Sequence, residues 1–139
     1  MEDRYLFKAK RLDNGEWVQG ALFNGESHCI IGQEIKFSPY TEHECKIVGY
    51  EVDRDTICQC TGLKDKNGKL IWENDIVRDE QGNFYKAFWQ NNYYQFSWVC
   101  VKTDVFLIGT KWDLWSIKSF EIEVIGNKFD NPELLEVEE

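Results

Sequence analysis

Four residues with the ligand chemistry of zinc occur as two pairs, His43 with Cys45 and Cys58 with Cys60. Zinc binds thiolate sulfur and neutral imidazole nitrogen in a tetrahedral arrangement, and ligand pairs on neighbouring strands can supply it. Each pair has a single intervening residue, however, whereas structural zinc pairs usually have two to four. Residues two apart on a strand also share a face, as core residues do. The sequence therefore leaves open a zinc site and a set of packed thiols, and it favours the packed thiols.

A basic turn is the second candidate. Lys64, Lys66 and Lys69 surround a predicted hairpin turn in a chain that is otherwise acidic. Such a turn can contact a phosphate group or an acidic surface of a partner. Lysines at a turn also keep it solvated and protect a strand edge from aggregation. We treat the three lysines as a candidate partner-binding site and keep the second interpretation beside it.

Aromatic residues are concentrated over residues 84–98 and recur at Trp112 and Trp115. Small β-barrels that bind single-stranded nucleic acid stack bases on such rings. Only Lys86 and Lys102 lie near this group in sequence, which is too little positive charge to attract a phosphate backbone. We therefore interpret the first group as core or as an oligomer interface, with Tyr94, Phe96 and Trp98 on its inward face. Trp112 and Trp115 are candidate partner-binding residues.

Two carboxylates, Glu73 and Asp75, are spaced so that a strand would present both on one face. General acid–base catalysis needs a cleft that separates the pKa values of such a pair, and the favoured alternative is an acidic turn. The sequence contains no Gly-x-Ser-x-Gly, His-Glu-x-x-His or phosphate-binding glycine loop. We expect a protein without catalytic residues or cofactor, most simply a non-enzymatic one.

The elements that must position these residues are predicted to be strands. Asn14-Gly15 is a tight-turn signal between strands over residues 5–11 and 17–23, and residues 64–69 form a second hairpin turn. Further strands are predicted up to residue 125, including 93–101 and 105–108, and Asn131-Pro132 begins a single helical turn. We predict an all-β, mostly antiparallel fold. It has a hairpin-rich part over residues 1–54 and a small SH3-like barrel part over 55–139, packed as one compact unit.

Charge restricts the partners. The 139 residues include 16 basic and 25 acidic side chains, a net charge of −9, which repels nucleic-acid phosphates. The sequence has a charged start and no apolar stretch of the roughly 20 residues that span a membrane, so we expect a cytoplasmic protein without a membrane partner. Its five cysteines are then expected to be reduced thiols.

Three stretches carry a family resemblance. The specific one is QCTGLKDKNGKLIWENDIV, residues 59–77; the others are residues 7–9 with 15–20, and residues 123–127 with 131–135. Together they resemble the YopX-like family of phage and prophage proteins over essentially the whole chain. Asn74 stands where the family pattern usually carries glycine, and because asparagine also tolerates positive φ the turn should survive.

The resemblance implies a phage or prophage origin in a bacterial host, a mostly β fold and self-association, and it supplies no catalytic mechanism. We expect a non-enzymatic phage or prophage accessory protein, an oligomerising module that binds a protein partner. Two alternatives stay open: a nucleic-acid-binding small β-barrel, and a zinc protein or enzyme centred on His43, Cys45, Cys58 and Cys60.

Overall fold

Alternating apolar and polar residues, interrupted by turn signals, produce an all-β fold. The computed structural model describes residues 5–36 and 45–135. Within them the chain forms eleven strands: β1 (Phe7–Lys10), β2 (Trp17–Asn24), β3 (Cys29–Lys36), β4 (Cys45–Glu51), β5 (Cys58–Lys64), β6 (Leu70–Trp72), β7 (Asp75–Arg78), β8 (Phe84–Gln90), β9 (Gln95–Lys102), β10 (Lys111–Asp113) and β11 (Glu123–Asn127). All strand pairs are antiparallel. The predicted all-β, mostly antiparallel fold is confirmed.

The chain divides into two compact units, Met1–Gln59 and Cys60–Glu139. In the first unit the strand order is β4-β3-β2-β1, and the start of β5 pairs with β1. The hairpin predicted at Asn14-Gly15 is present, with Gly15 at φ 73°. One face of the sheet carries the buried core of this unit, which consists of Ala9, Val18, Cys29, Ile31 and Val52.

In the second unit the strand order is β10-β9-β8-β7-β11, and the later residues of β5 pair with β6. The core of this unit consists of Ile71, Val77, Tyr85, Ala87, Trp98, Cys100 and Ile122. Among the described residues the edge strands β10 and β11 do not pair with each other. The backbone hydrogen bonds of the described residues do not close this sheet, and the SH3-like barrel part stays a prediction.

The hairpin predicted over residues 64–69 is present, with Lys64 opposite Leu70 and Gly68 at φ 79°. Asn74 has φ 70°, as expected from its tolerance of the left-handed region. Its amide donates to Ala87 O (2.7 Å), and its carbonyl accepts from Lys128 N (3.0 Å). After Asn131 the chain makes a 3-10 turn, Pro132–Leu135. The Asn131 side chain accepts from the preceding Asn127 N–H (3.2 Å).

Two predicted strand features are wrong. Tyr94 was expected in a strand with its ring inward, but β9 begins at Gln95, and Tyr94 lies in the preceding turn at φ 51° with 83% of its surface exposed. Residues 105–108 were expected to form a strand, but they form a loop between β9 and β10. Both segments are apolar, and local hydrophobicity does not distinguish a strand from an exposed loop.

A close approach of two backbones in the first unit requires a glycine. β2 pairs with β1 up to Gly20 and with β3 from Ala21 onward. A Cβ added at Gly20 would overlap the carbonyl oxygen of Gly32. A Cβ added at Gly32 would come no closer than 3.6 Å to a neighbour, the Ile47 Cγ2 methyl, which is ordinary van der Waals contact.

We therefore expect Gly20→Ala to lower the free energy of unfolding by about 1–3 kcal/mol, because a methyl group would be forced against a backbone oxygen. Gly32→Ala is the matched control and should change it much less. Urea denaturation of both variants measures the difference. Equal effects would mean that the close approach at Gly20 does not constrain the sheet.

Candidate functional site

Large apolar side chains are exposed on one segment and one loop of the second unit. Leu107 in the β9–β10 loop is 83% exposed, Trp115 is 81% exposed and Phe120 is 66% exposed. Val105, Phe106 and Ile108 in the same loop are also exposed. We call the exposed apolar side chains of residues 105–108 and 115–120 the apolar surface. Trp115 and Phe120 line one groove, and exposed apolar groups that are close together mark interaction sites more often than isolated ones do.

The β9–β10 loop is held at both ends by hydrogen bonds. Thr103 Oγ1 accepts from the amides of Val105 (3.1 Å) and Phe106 (3.2 Å). At the other end Gly109 N donates to Cys100 O (2.8 Å), and Cys100 N donates to Thr110 O (2.8 Å). The backbone is thus anchored beside β9, while the side chains of residues 105–108 remain exposed.

The segment that follows β10 is fixed to the core through a tryptophan. Trp98 is fully buried, and its indole Nε1–H donates to the carbonyl oxygen of Leu114 (3.3 Å). Leu114–Ser116 is a 3-10 turn, and a second one follows at Ser119–Glu121. Leu114 and Ile117 pack against the core, whereas Trp115 between them faces outward. The same short segment therefore attaches to the core and presents an exposed aromatic ring.

A groove of about 380 Å³ lies beside Trp115. We call it the apolar groove. Its walls are formed by Leu63, Leu114, Trp115, Ile117, Lys118, Ser119 and Phe120. Trp112, the other tryptophan chosen from the sequence, lies on the other side of this segment. It is half-buried, and its ring lies 5.5 Å from that of Tyr85 and 5.2 Å from that of Phe106. The structure places Trp112 and Trp115 on one segment but in different hollows.

Trp112 lines a second depression, which we call the acidic–aromatic cleft. It consists of two adjoining hollows of about 400 and 220 Å³ that share the walls Asp79, Gln81, Tyr85, Ser116 and Ile117. The larger hollow adds Asn83, Val105, Phe106 and Trp112. The smaller adds Glu80, Lys118, Glu121 and Ile122. Aromatic rings therefore line one end of the cleft, and carboxylates predominate at the other.

Asp79 is the carboxylate shared by both hollows. Its Oδ1 accepts from the amides of Gln81 (3.0 Å) and Asn83 (2.8 Å), and its Oδ2 accepts from Asn83 Nδ2 (2.9 Å) and the Tyr85 hydroxyl (2.9 Å). Burial opposes ionisation of Asp79, but these donors outweigh it and lower the pKa of the carboxyl. Burial and the hydrogen bond to Asp79 both raise the pKa of Tyr85. The pair is thus an ionised carboxylate beside a neutral phenol.

The three candidate lysines are brought together at the tip of the β5–β6 hairpin, and all three are exposed. The turn is organised by Asp65, which is 5% exposed. Its carboxylate accepts from the amides of Asn67, Lys69 and Val124, each at 2.9 Å. Lys66 Nζ lies 3.6 Å from Glu123 Oε2, which also accepts from Arg78 (3.1 Å). Part of the basic charge of the tip is therefore balanced within the second unit.

The candidate zinc ligands are placed as follows. His43 lies outside the described residues, and Cys45 begins β4. Cys58 and Cys60 are buried in β5, where the Cys58 thiol donates to Thr56 O (3.3 Å) and the Cys60 thiol lies 3.9 Å from Ile71 O. Within residues 5–36 and 45–135, no group of three or more His, Cys, Asp or Glu side chains is close enough to hold a metal ion.

The two candidate carboxylates take separate structural positions. Asp75 is buried, and its Oδ2 accepts from the Trp72 amide (2.8 Å), so it fixes the turn between β6 and β7. Glu73 is half-buried in that turn. Of the aromatic group, Trp98 is core, whereas Tyr93 and Tyr94 are exposed in the β8–β9 turn. Trp89 packs edge-on against Phe96 (5.1 Å).

Comparison with known proteins gives the family. Residues 6–136 match the profile of the YopX protein family, which is nearly the whole chain. The chain belongs to the YopX protein family. The resemblance seen in residues 59–77 is thereby confirmed.

One solved relative of this YopX family member is the crystal structure of protein EF1440 from Enterococcus faecalis. The two chains are 27% identical and superpose with a TM-score of 0.54, covering 94% of this chain and 96% of that one. No curated protein matches the chain by sequence. Within the part of the chain that the structure describes, no helix has the length and apolar character needed to cross a membrane.

Sequence reasoning missed most of the residues that line the cleft and the groove. The sequence does not single out Asp79, and it places Phe120 in a predicted strand region, because each gains its role from residues far away in the chain. The signal available for the exposed loop was the run Val-Phe-Leu-Ile followed by Gly109, since four apolar residues before a glycine fit a loop as well as a short strand.

The buried carboxylate of Asp65 gives a pH-dependent prediction. Burial would raise the pKa of Asp65, but the amides of Val124, Lys69 and Asn67 lower it overall. A carboxyl with a lowered pKa stabilises the fold above its unfolded pKa of about 4, and this contribution is lost as the pH falls through the folded pKa. We expect Asp65→Asn to lower the free energy of unfolding by about 1–3 kcal/mol at pH 7, because the new side-chain NH₂ group would face backbone N–H donors.

The measurement is urea denaturation of wild type and Asp65→Asn at pH 7 and at pH 3. The difference between the two proteins should shrink at pH 3, where the wild-type carboxyl also begins to lose its charge. Asp104→Asn, a change at an exposed carboxylate, should show little difference at either pH. If Asp65→Asn lowered the free energy of unfolding equally at both pH values, the ionised state assigned to Asp65 would be contradicted.

Proposed function

We propose that this YopX family member is a non-enzymatic phage or prophage accessory protein, an oligomerising module that binds a protein partner through the apolar surface. The observation that carries the proposal is the exposure of Leu107, Trp115 and Phe120, three large apolar side chains between 66% and 83% exposed. An exposed tryptophan is a frequent anchor of protein interfaces, because it buries a large area with little loss of conformational entropy.

The shape of the surface supports a protein as the occupant. Trp115 and Phe120 flank the apolar groove, and Leu63 contributes to its walls from β5. A groove with apolar walls and exposed rings at its margin can accept an apolar side chain of a partner and surround it. The net charge of −9 favours a partner whose surface around that side chain is basic.

The polar candidates favour binding over catalysis. The carboxylates of Asp65 and Asp75 accept backbone amides, and the thiols of Cys58 and Cys60 are buried. A general base needs a free lone pair within reach of a substrate, and a nucleophilic thiol needs access. The lysine tip adds little for nucleic acid, because Lys66 is within ion-pair distance of Glu123 and the whole chain is acidic.

Partner binding is tested by affinity capture from the bacterium that carries the gene, with and without nuclease. We expect a stoichiometric protein that survives nuclease and is lost with Trp115→Ser, since removal of an interface anchor costs about 2 kcal/mol or some thirtyfold in affinity. Tyr94→Ser, also a change at an 83% exposed ring, is the matched control and should retain the partner. Loss of the partner with nuclease would instead support nucleic-acid binding.

Both variants should fold, because exposed side chains contribute little to stability. Binding of the purified partner to each variant by calorimetry then gives the affinities. Equal affinities for wild type and Trp115→Ser would contradict the assignment of the surface, whatever partner is captured.

Self-association is supported by a different surface, one face of the sheet in the first unit. Strand pairing places Phe23 opposite Ile30 and Ile47 opposite Glu34 on the face away from the core. Phe23 is 63% and Ile47 76% exposed. Gly32 and Gly49 lie opposite each other on the same face, and the side chains of Ile47 and Ile30 lie beside them, so this part of the face is apolar.

Charge makes this face self-complementary. Lys8 and Lys10 lie on β1, at one side of the face, with their ammonium groups 4.7 and 5.4 Å from the ring centre of Trp17. Glu34 and Glu51 lie on β3 and β4, at the other side. A two-fold axis parallel to the strands would set β1 of one copy over β4 of the other, so that opposite charges meet. The occupant we propose for this face is a second copy of the chain.

Sedimentation velocity over a range of concentrations tests the self-association. We expect wild type to form a dimer at micromolar concentration and Ile47→Lys to be monomeric, because the new charge would be buried in the interface. Ile35→Lys is the matched control, since Ile35 is exposed on the opposite face of the same two strands. Monomeric wild type, or equal dissociation of both variants, would refute the interface.

A further inference from the structure

We propose that the acidic–aromatic cleft of the second unit binds one arginine side chain of a partner protein. The inference rests on the proposed protein-binding function and adds the chemical group that the partner supplies. It is carried by three observations in one cleft: aromatic rings packed edge to face, an ionised carboxylate whose hydrogen-bond partners are all uncharged, and further carboxylates at the other end.

The rings provide the walls for a flat cation. Trp112 is nearly perpendicular to Tyr85, at 86°, and to Phe106, at 71°. In each edge-to-face pair, the ring that contributes its edge keeps both of its faces free of its partner ring. A guanidinium group is planar and weakly hydrated, so it stacks on aromatic faces and is attracted by their negative quadrupole. The hollow that these rings line has a volume of about 400 Å³, within the range of clefts that bind small groups.

The carboxylate of Asp79 provides negative charge, but it does not draw the cation into direct hydrogen bonds. All four of its hydrogen bonds come from neutral donors: two backbone amides, the Asn83 amide group and the Tyr85 hydroxyl. Its negative charge is thus oriented and held in the wall of the cleft, but its lone pairs are occupied. Such a carboxylate attracts a cation electrostatically and leaves the cation to stack on the rings.

Hydrogen-bond acceptors for the guanidinium are at the other end. Glu80 and Glu121 are exposed and line the smaller hollow, where Lys118 is the opposing positive charge. The cleft therefore has an excess of negative charge, since three carboxylates, those of Asp79, Glu80 and Glu121, face one ammonium group, that of Lys118. These carboxylates attract an arginine side chain into the cleft, where the plane of its guanidinium can lie against the rings.

Arginine is favoured over lysine by the same chemistry. An ammonium group is compact and strongly hydrated, and it satisfies its charge best by direct hydrogen bonds to a carboxylate. The Asp79 oxygens are already occupied, so a lysine would gain less in the aromatic end. The cleft therefore predicts selectivity for a planar cation.

The test uses small probes and two-dimensional ¹H–¹⁵N NMR of the full chain. The probes are N-acetyl-arginine amide, its uncharged isostere N-acetyl-citrulline amide, and N-acetyl-lysine amide. We expect the arginine probe to shift the Trp112 indole signal and the amides of Gln81 and Asn83, with saturation at millimolar concentration. The citrulline probe should shift them far less at the same concentration, and the lysine probe should bind several-fold more weakly than arginine.

Two variants with matched controls locate the site. Phe106→Ser should abolish saturable binding of the arginine probe, whereas Tyr94→Ser, a change at an exposed ring outside the cleft, should retain it. Glu121→Gln should weaken binding about two- to fivefold, as expected for one exposed charge pair. Equal shifts with arginine and citrulline, binding unchanged in Phe106→Ser, or signals that move elsewhere in the protein would overturn the proposal.

The outcome is separable from that of the proposed function. If a partner is captured through Trp115 but the arginine probe does not shift the cleft signals, this inference fails and the protein-binding function stands. If the arginine probe binds as expected but no protein partner depends on Trp115, the cleft is a cation site and the proposed binding surface fails.

Discussion

The second unit depends on the burial of Trp98. Its ring is the largest fully buried side chain in the described residues, and its one polar atom is satisfied by the carbonyl of Leu114. A buried indole without an acceptor would lose a substantial part of the gain from burying the ring, because an unpaired N–H costs about 1–3 kcal/mol. The hydrogen bond therefore fixes the position of the Leu114–Ser116 turn. The side chains on either side of this turn line both the apolar groove and the acidic–aromatic cleft.

A second constraint recurs in two turns of the same unit. Asp65 and Asp79 each begin a five-residue turn with glycine at its fourth position, and each accepts the amides two and four residues later on a single carboxylate oxygen. The other oxygen is then free to reach further: that of Asp65 contacts Val124, and that of Asp79 contacts Tyr85. The same type of turn therefore serves two purposes: the turn at Asp65 connects the β5–β6 hairpin to β11, and the turn at Asp79 organises the wall of the cleft.

The parts of the fold that the sequence predicts are those determined locally. Asn14-Gly15 and the turn at residues 64–69 specify their hairpins because the backbone conformation belongs to the residues themselves, and Asn74 adopts positive φ for the same reason. Trp98 was correctly expected inside. Tyr94 was not predicted correctly, because two more residues of turn preceded β9, and alternation cannot be read across an unrecognised turn.

The candidate site is less predictable because it is not local. Leu63 meets residues 114–120 only in the folded protein, and Asp79 meets Trp112 only across a cleft. Trp112 and Trp115 could be chosen from residue type, but their assignment to different hollows follows from the Trp98–Leu114 hydrogen bond. The side of the sheet in the first unit that carries Ile47 follows from register, which a one-residue shift would reverse.

The pairing of β11 with β7 has a consequence for synthesis in the cell. β7 ends at Arg78, but its partner β11 begins at Glu123. The Asp65 carboxylate likewise accepts a hydrogen bond from an amide 59 residues further along the chain. During translation β7 and the Asp65 side chain therefore leave the ribosome well before their partners exist. Long-range pairing of this kind is slow, and it leaves an unpaired strand edge in the nascent chain. The five-stranded sheet can be completed only after residue 127 has emerged, and the residues of the apolar surface leave the ribosome before that step.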